Sequence, residues 1–333
     1  MLTSAAIAAC QHPANSPKSV SETSPADDCQ TIVHVAGEAE ICEQPQSVVA
    51  LGPYVLEPLI ALGVQPTGFA DHMAFGQGVY SNPSEQIPYI GERITSQLVN
   101  VGVAYSPSIE AIAKAQPDLI IGTEFNMQQY ETLSQIAPTL LIEYDSTEEN
   151  LRTIAKAVNR PDAAEQLIAE TDQKIVAAQE TFADFASDNP KALLLFSNPP
   201  NLSLSKGNQE LCHTLVEDLG FQLVSLSGSE NIDAEETALP ISSEQLPSLN
   251  DADFIIVLGS NFEKRESTRS YENDQLAGPR QAWRENAIAQ SLDASKADQV
   301  YFIPAYLCLG LPGPIGAELY IEELKQQLLT EPS

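Results

Sequence analysis

Short apolar runs alternate with longer, mixed stretches along most of this chain. In the first half, Ser47-Val48-Val49-Ala50-Leu51 has the length and composition of a buried strand, and Gly52-Pro53 punctuates it. Tyr54 to Leu62 then reads as a helix closed by Gly63, and Gln65 to Phe69 as the next strand. Pro107 to Ala115 is a helix with Ser106 or Ser108 as its cap. Pro117-Asp118 leads into the strand Leu119 to Gly122, followed by a helix over Gln128 to Ile136 and a strand over Thr139 to Ile142. The second half repeats the rhythm. Lys191 to Phe196, Phe221 to Ser225, Asp253 to Gly259 and Val300 to Ile303 read as strands. Asn208 to Leu219, stopped by Gly220, and Ile315 to Leu329 read as helices. Strands alternating with helices predict an α/β fold with a parallel sheet in each half.

Pro161 to Ala186 breaks the rhythm. It holds no internal Pro or Gly, starts with Pro161-Asp162, and repeats apolar residues at Ala164, Leu167, Ile168, Ile175, Ala178 and Phe182. One helix of that length spans about 40 Å, a rigid strut between two α/β halves. The expected organisation is therefore a terminal segment over 1–28, an N-terminal lobe over 29–160, a connecting helix over 161–187 and a C-terminal lobe over 188–333.

Composition narrows the function. The 333 residues include 16 Lys+Arg against 46 Asp+Glu, a net charge of -30. Such acidity argues against nucleic acid and against docking to anionic lipid through basic residues. Apolar content of 43% suits a packed globular body. No apolar run approaches the ~20 residues of a spanning helix. At the start, Ile7-Ala8-Ala9-Cys10 approximates a lipoprotein cleavage site. No Lys or Arg precedes it and the apolar stretch is short, so it reads as a truncated signal with Cys10 as the lipidated residue. Residues 11–28, rich in Ser, Pro, Ala and Asp, have the composition of a disordered tether. Membrane attachment would then be by that lipid anchor alone.

Cys29 and Cys42 bracket twelve residues that read as a hairpin, and a disulfide closing it stabilises by about 2–3 kcal/mol. Cys212 and Cys308 read as two buried thiols, with a cross-link across the second half as the alternative. The four His show no ligand spacing, so no protein-bound metal is expected. G-x-S-x-G, the P-loop and G-x-G-x-x-G are all missing, so neither a catalytic residue nor a cofactor is assigned.

Several motifs then fall into order. Pro107-Ser108-Ile109-Glu110-Ala111-Ile112 precedes Gln116-Pro117-Asp118-Leu119-Ile120-Ile121, and Ile241-Ser242-Ser243-Glu244-Gln245-Leu246 precedes Asp251-Ala252-Asp253-Phe254-Ile255-Ile256-Val257. Asp298-Gln299-Val300-Tyr301-Phe302 is followed by Gly313-Pro314-Ile315-Gly316-Ala317-Glu318-Leu319. With the lipobox-like start, tether and strut, this set resembles the cluster III substrate-binding proteins of ABC importers, within them the ferric-siderophore or ferric-dicitrate branch. The resemblance implies two Rossmann-like lobes joined by one long helix, with the ligand cleft between the lobes. It implies a monomer, in the periplasm or at the cell surface, that captures a ferric siderophore or ferric citrate. The partner is the permease dimer, which Glu110 and Glu244 would meet through arginines, one acid per lobe.

In such a fold the crevice lies at the C-terminal ends of the strands. Tyr54, His72, Tyr80 and Arg93 are the candidate ligand contacts of the first lobe. Lys264, Arg265, Arg269, Arg280 and Arg284 put five of the 16 basic residues within 21 positions, with Tyr271 and Trp283 among them. This segment follows the strongest strand of the second half and reads as a cationic cleft loop. Arg265, Arg269, Arg280, Trp283 and Tyr306 are the contacts expected there. Haem or cobalamin as ligand, or a surface sensor or adhesion module without a transport role, are the alternatives. Cys308 and Leu309 stand where the family pattern has aromatic residues.

Overall fold

The computed structural model describes residues 29–72, 78–144, 147–205, 211–226, 238–260 and 268–330. Cys10, the tether and Arg265 lie outside them. The chain opens with a hairpin, β1 (Gln30–His34) and β2 (Gly37–Ile41), closed at its base by the Cys29–Cys42 disulfide. It packs on the N-terminal lobe, where the Val35 amide donates to the Leu141 carbonyl at 3.0 Å.

That lobe comprises β3 (Val48–Leu51), α1 (Pro53–Ala61), β4 (Gly68–Asp71), β5 (Val79–Tyr80), α2 (Pro83–Gln86), β6 (Leu98–Val103), β7 (Ser106–Pro107), α3 (Ile109–Ala115), β8 (Leu119–Thr123), α4 (Tyr130–Ser134), β9 (Thr139–Ile142) and α5 (Thr147–Ala157). Its sheet runs β5-β6-β4-β3-β8-β9, parallel from β6 to β9, with β5 and β7 antiparallel additions to β6. Next comes α6 (Pro161–Asp188), 28 residues long with Pro161 in its first turn.

The second lobe holds β10 (Lys191–Asn198), β11 (Asn201–Ser205), α7 (Leu211–Asp218), β12 (Gln222–Leu223), β13 (Ala238–Ile241), β14 (Phe254–Gly259), α8 (Thr268–Glu285), α9 (Asp293–Lys296), β15 (Val300–Pro304) and α10 (Pro314–Leu328). Its sheet runs β13-β11-β10-β14-β15, parallel across β10, β14 and β15. All six residues of β14 are buried, as its uninterrupted apolar run requires of a strand covered on both faces.

The two lobes repeat one wiring scheme. Asp118, just before β8, accepts the Gln46 and Ser47 amides at 2.7 and 2.9 Å and so fixes the entry to β3. Asp253, just before β14, accepts the Lys191 amide at 2.8 Å and fixes the entry to β10. The repeat extends to helix starts. Ser108 caps α3 by accepting the Ala111 amide at 3.2 Å, and Ser242 exchanges bonds with Gln245 in a capping box over the 3-10 turn Ser243–Leu249.

Two helices tie the lobes together. Ala164 and Ile168 of α6 belong to the N-terminal core, whereas Ala178 and Phe182 belong to the C-terminal one. On α10, Ile315 enters the first core and Tyr320, Ile321, Leu324 and Leu328 enter the second. The junction is thus packed apolar structure, which resists shear. It is also anchored by Glu57, a wholly buried acid of α1. Its Oε1 accepts the Ile315 amide at 2.7 Å at the start of α10, a carboxyl seated on a helix N-terminus. Gly313 leaves room for this, because a Cβ there would collide with Oε2.

Three expectations change. The segment after β14, read as a cationic loop, is helix α8 from Thr268 onward, because its polar residues alternate with core positions such as Tyr271, Leu276 and Trp283. Cys212 and Cys308 are not free thiols but a second disulfide, both fully buried. Helix α7 brings the first against the turn carrying the other. The strand expected over Phe221 to Ser225 narrows to Gln222 and Leu223 because only two residues reach β10.

Candidate ligand-binding cleft

Each parallel strand of the N-terminal lobe ends in a side chain that points off the sheet into one region. Tyr54 lies three residues past β3, His72 one past β4, Tyr105 two past β6, Phe125 two past β8 and Tyr144 two past β9. Their rings form an unbroken series. Phe125 meets Tyr105 at 5.5 Å and Tyr144 at 5.7 Å, Tyr105 stacks on His72 at 5.7 Å, and His72 and Tyr144 both stand edge-on to Tyr54, at 5.3 and 5.2 Å. Such offset and edge-on geometries are the favoured ones for aromatic pairs. The Tyr105 hydroxyl and His72 Nδ1 are 3.2 Å apart.

Gly52 makes the base of this wall possible. Its φ of +125° is open to glycine, and a Cβ there would overlap the Tyr54 ring. Tyr54 is buried and His72 and Tyr144 are half-buried, but Tyr105 and Phe125 are 44% and 48% exposed, with Met127 at 44% beside them in the chain. Exposed apolar groups gathered at strand ends mark a binding face.

The C-terminal lobe meets this wall through a π-helical turn, Tyr306–Gly310, directly after β15. Tyr306 is fully buried, 6.2 Å from His72, 5.8 Å from Tyr89 and 5.3 Å from Tyr271 between ring centres. The Tyr144 hydroxyl donates to the Leu309 carbonyl at 2.8 Å, a direct bond between the lobes. Tyr89 holds a left-handed backbone, φ 62°, the kind of local strain that gathers at functional sites.

The phenols are held neutral. Burial, with Tyr105 and Tyr144 nearby, pushes the Tyr54 hydroxyl well above the ordinary tyrosine range. Burial also raises Tyr89 and Tyr105. Neutral phenols donate hydrogen bonds and present ring faces. Among the described residues no group of three or more His, Cys, Asp or Glu has a metal-binding arrangement.

Of the residues singled out from sequence, the structure brings Tyr54, His72 and Tyr306 together. Tyr80 does not join them: β5 buries it against Phe69, 5.7 Å away, inside the N-terminal core. Trp283 is likewise core, donating Nε1–H to Ser295 Oγ at 3.2 Å. Arg280 is half-buried over the Phe302 ring at 5.9 Å. Arg93 is exposed, and its charge favours ionised Glu57. Arg269 lies on α8. Glu110 and Glu244 are both exposed. Tyr89, Tyr105, Tyr144 and Glu57 carry no motif that singles them out in the sequence. The strand-end rule would have found Tyr144, two residues beyond Ile142.

A separate cavity of about 430 Å³ lies among α5, α6, α7 and the loop before α10. Its polar lining includes Glu148, Glu149, Asp172 and Asp218, and it has no aromatic wall, which suits an anionic chelate poorly. No described helix is long and apolar enough to cross a membrane.

Comparison with known proteins places this geometry. The periplasmic binding protein family model matches residues 48–307. A probable siderophore-binding lipoprotein of Bacillus subtilis is 22% identical over 304 residues, 90% of this chain and 88% of its own. The Fe(3+)-citrate-binding protein of the same organism is 25% identical over 281 residues, 82% of this chain and 78% of its own. The crystal structure of Staphylococcus aureus SirA complexed with staphyloferrin B superposes with a TM-score of 0.74 at 24% identity, covering 91% of this chain and 99% of that one.

Proposed function

The chain belongs to the periplasmic binding protein family, and on that premise we propose that it captures a ferric chelate of the siderophore or ferric-citrate type and delivers it to the permease of an ABC importer. The observation that carries this reading is the series of rings along the strand ends, open at Tyr105 and Phe125 and closed across the lobes by Tyr306. Ring faces pack on the organic shell of a chelate, and the hydrogen-bonded Tyr105–His72 pair keeps one donor for its outer oxygens. The names of the relatives, siderophore-binding and Fe(3+)-citrate-binding, agree with this ligand class. Binding and release, with no bond chemistry, is the proposed activity.

Glu110 and Glu244 are the proposed permease contacts. Each is exposed and stands two residues after a capping serine, one per lobe. Ser242 and its own amide hold the Glu244 carboxyl below the usual range, so it stays charged. Anchoring through lipid on Cys10, and a monomeric state outside the cytoplasm, complete the proposal.

Calorimetry tests it, since Trp283 is buried in the C-terminal core and does not line the ring wall. The chain would be titrated with ferric citrate, a ferric tris-hydroxamate, a ferric tris-catecholate, haem and cobalamin. Saturable one-to-one binding of a ferric chelate is expected. Binding of haem or cobalamin alone replaces the ligand class, and no binding overturns the reading.

A further inference from the structure

The second disulfide has no part in the reading above, yet it lies at the cleft. Cys308 is two residues beyond Tyr306, inside the π-helical turn Tyr306–Gly310, and its partner Cys212 is on α7. π-helical turns are uncommon and concentrate at functional sites. This one carries two contacts of the C-terminal lobe with the N-terminal ring wall, the Tyr306 ring and the Leu309 carbonyl that accepts the Tyr144 hydroxyl. It is held from behind by α8, where Gln275 Oε1 accepts the Tyr306 amide at 3.3 Å, and by the bond to Cys212. The Cys212 carbonyl accepts the Tyr320 hydroxyl of α10 at 3.4 Å, so the anchor is itself fixed.

We propose that the Cys212–Cys308 disulfide is a positioning element for ligand capture, fixing the turn that presents Tyr306 and Leu309 to the N-terminal lobe. The inference rests on the chelate-binding reading. It is a fixed staple and not a redox switch. Both sulfurs are buried, 0% and 1% exposed by residue, whereas Cys29 and Cys42 are exposed. A thiol reductant attacks only a disulfide it can reach, so it opens the hairpin disulfide and leaves the buried one. This separates the two bonds: one closes a remote hairpin, the other braces the cleft.

The test compares two double variants of the full chain, Cys212→Ala with Cys308→Ala and Cys29→Ala with Cys42→Ala. Hydrogen exchange is read across the C-terminal lobe, and the affinity for whichever of ferric citrate, a ferric tris-hydroxamate or a ferric tris-catecholate binds the wild type is measured. The first variant should exchange the 306–310 amides about tenfold faster, leave β14 unchanged, and bind the chelate about tenfold more weakly through faster release. The hairpin variant should change neither reading. A volume-matched pair, Cys212→Val with Cys308→Ala, repeats the test should the alanine pair fail to fold. Equal affinity in wild type and cleft variant, equal weakening in both double variants, or faster exchange spread over the whole lobe overturns the positioning role. A wild type that binds none of the three chelates overturns the functional reading itself.

Discussion

The two lobes share a framework and differ in what they put at its edge. Asp118 and Asp253 each tie a strand entry, and Ser108 and Ser242 each cap the turn that bears an exposed glutamate. At the strand ends the likeness stops. The N-terminal lobe sends five aromatic or imidazole rings off five parallel strands, two of them substantially exposed. Among the described residues the C-terminal lobe contributes Tyr271 and Tyr306, both buried. Strand entries are under the same physical constraint in both lobes, since buried amides need partners. Strand exits face the proposed cleft, where no such backbone requirement repeats from one lobe to the other. A repeated fold thus keeps its symmetry where chain physics dictates and loses it where chemistry does.

The largest expected effect of pH is where the lobes meet. Burial pushes the Glu57 carboxyl up to about 7 from 4.5, opposed by the Ile315, Gly313 and Gly316 amides and by Arg93. A carboxyl that keeps its proton longer when folded stabilises most below its unfolded pKa, and that contribution is lost as pH rises through the folded one. The shift corresponds to roughly 3 kcal/mol. Urea unfolding of wild type against Glu57→Gln, which does not titrate, isolates it. The wild type's stability relative to the variant should fall as pH rises from 4.5 to about 7. A constant difference across that range would show that Glu57 does not titrate at the junction.

Next comes the asymmetry of the strand exits. Replacing Tyr105 and Phe125 together by Ala should weaken chelate binding by about 30- to 100-fold, since each ring face buried against a ligand contributes on the order of 1 kcal/mol or more. Stability should change little, because both are about half exposed. Tyr80→Ala should do the reverse, costing about 3–5 kcal/mol of stability as a buried aromatic. Should Tyr80→Ala lower affinity in a protein of undiminished stability, the assignment of that ring to the core would be wrong.

The contrast between entries and exits also explains what could be read from sequence. Buried strands such as Leu119–Thr123 and Phe254–Gly259 announce themselves because a run of apolar residues has few other uses. The strut was readable because 28 residues without internal Pro or Gly favour one continuous helix. The cleft was only partly readable. Tyr54 and His72 follow legible strands, but Tyr105 follows β6, whose Asn100 and Gly102 hide the apolar pattern. In the basic segment, Arg280 and Arg284 lie on helix α8, half-buried over Phe302 and exposed respectively, and a cluster of basic residues in sequence does not reveal that they belong to a helix. Trp283 and Tyr80 illustrate the same gap, since residue type does not reveal whether a ring faces a core or a cleft. The Cys212–Cys308 pairing spans 96 positions, and no local pattern carries that distance.

A smaller effect tests the framework. Asp118 accepts two strand-entry amides and Asp253 accepts one. At about 1 kcal/mol or somewhat more per lost bond to a charged acceptor, Asp118→Ala should cost about twice what Asp253→Ala costs. Chemical denaturation of both variants at one pH measures the ratio. Equal costs would mean that the strand entries are held mainly by packing, and that the repeat of these acids is incidental to stability.

The smallest expected change in stability belongs to the pair that the repeat preserves most faithfully. Glu110 and Glu244 are exposed, each early in a capped turn, so Ala at either should shift stability by less than about 0.5 kcal/mol. Chelate affinity should also stay unchanged, since neither side chain lies at the strand exits. Uptake of the chelate in cells carrying the cognate permease should nevertheless fall with either substitution, and further with both. A permease that reads one carboxylate from each lobe is sensitive to the spacing between lobes, which the shared packing of α6 and α10 holds fixed. Charge-reversing arginine substitutions at the same two positions should reduce uptake more than Ala does, because they turn attraction into repulsion at a specific contact. Unimpaired uptake by the double alanine variant would leave the likeness of the two turns to be explained by helix capping alone.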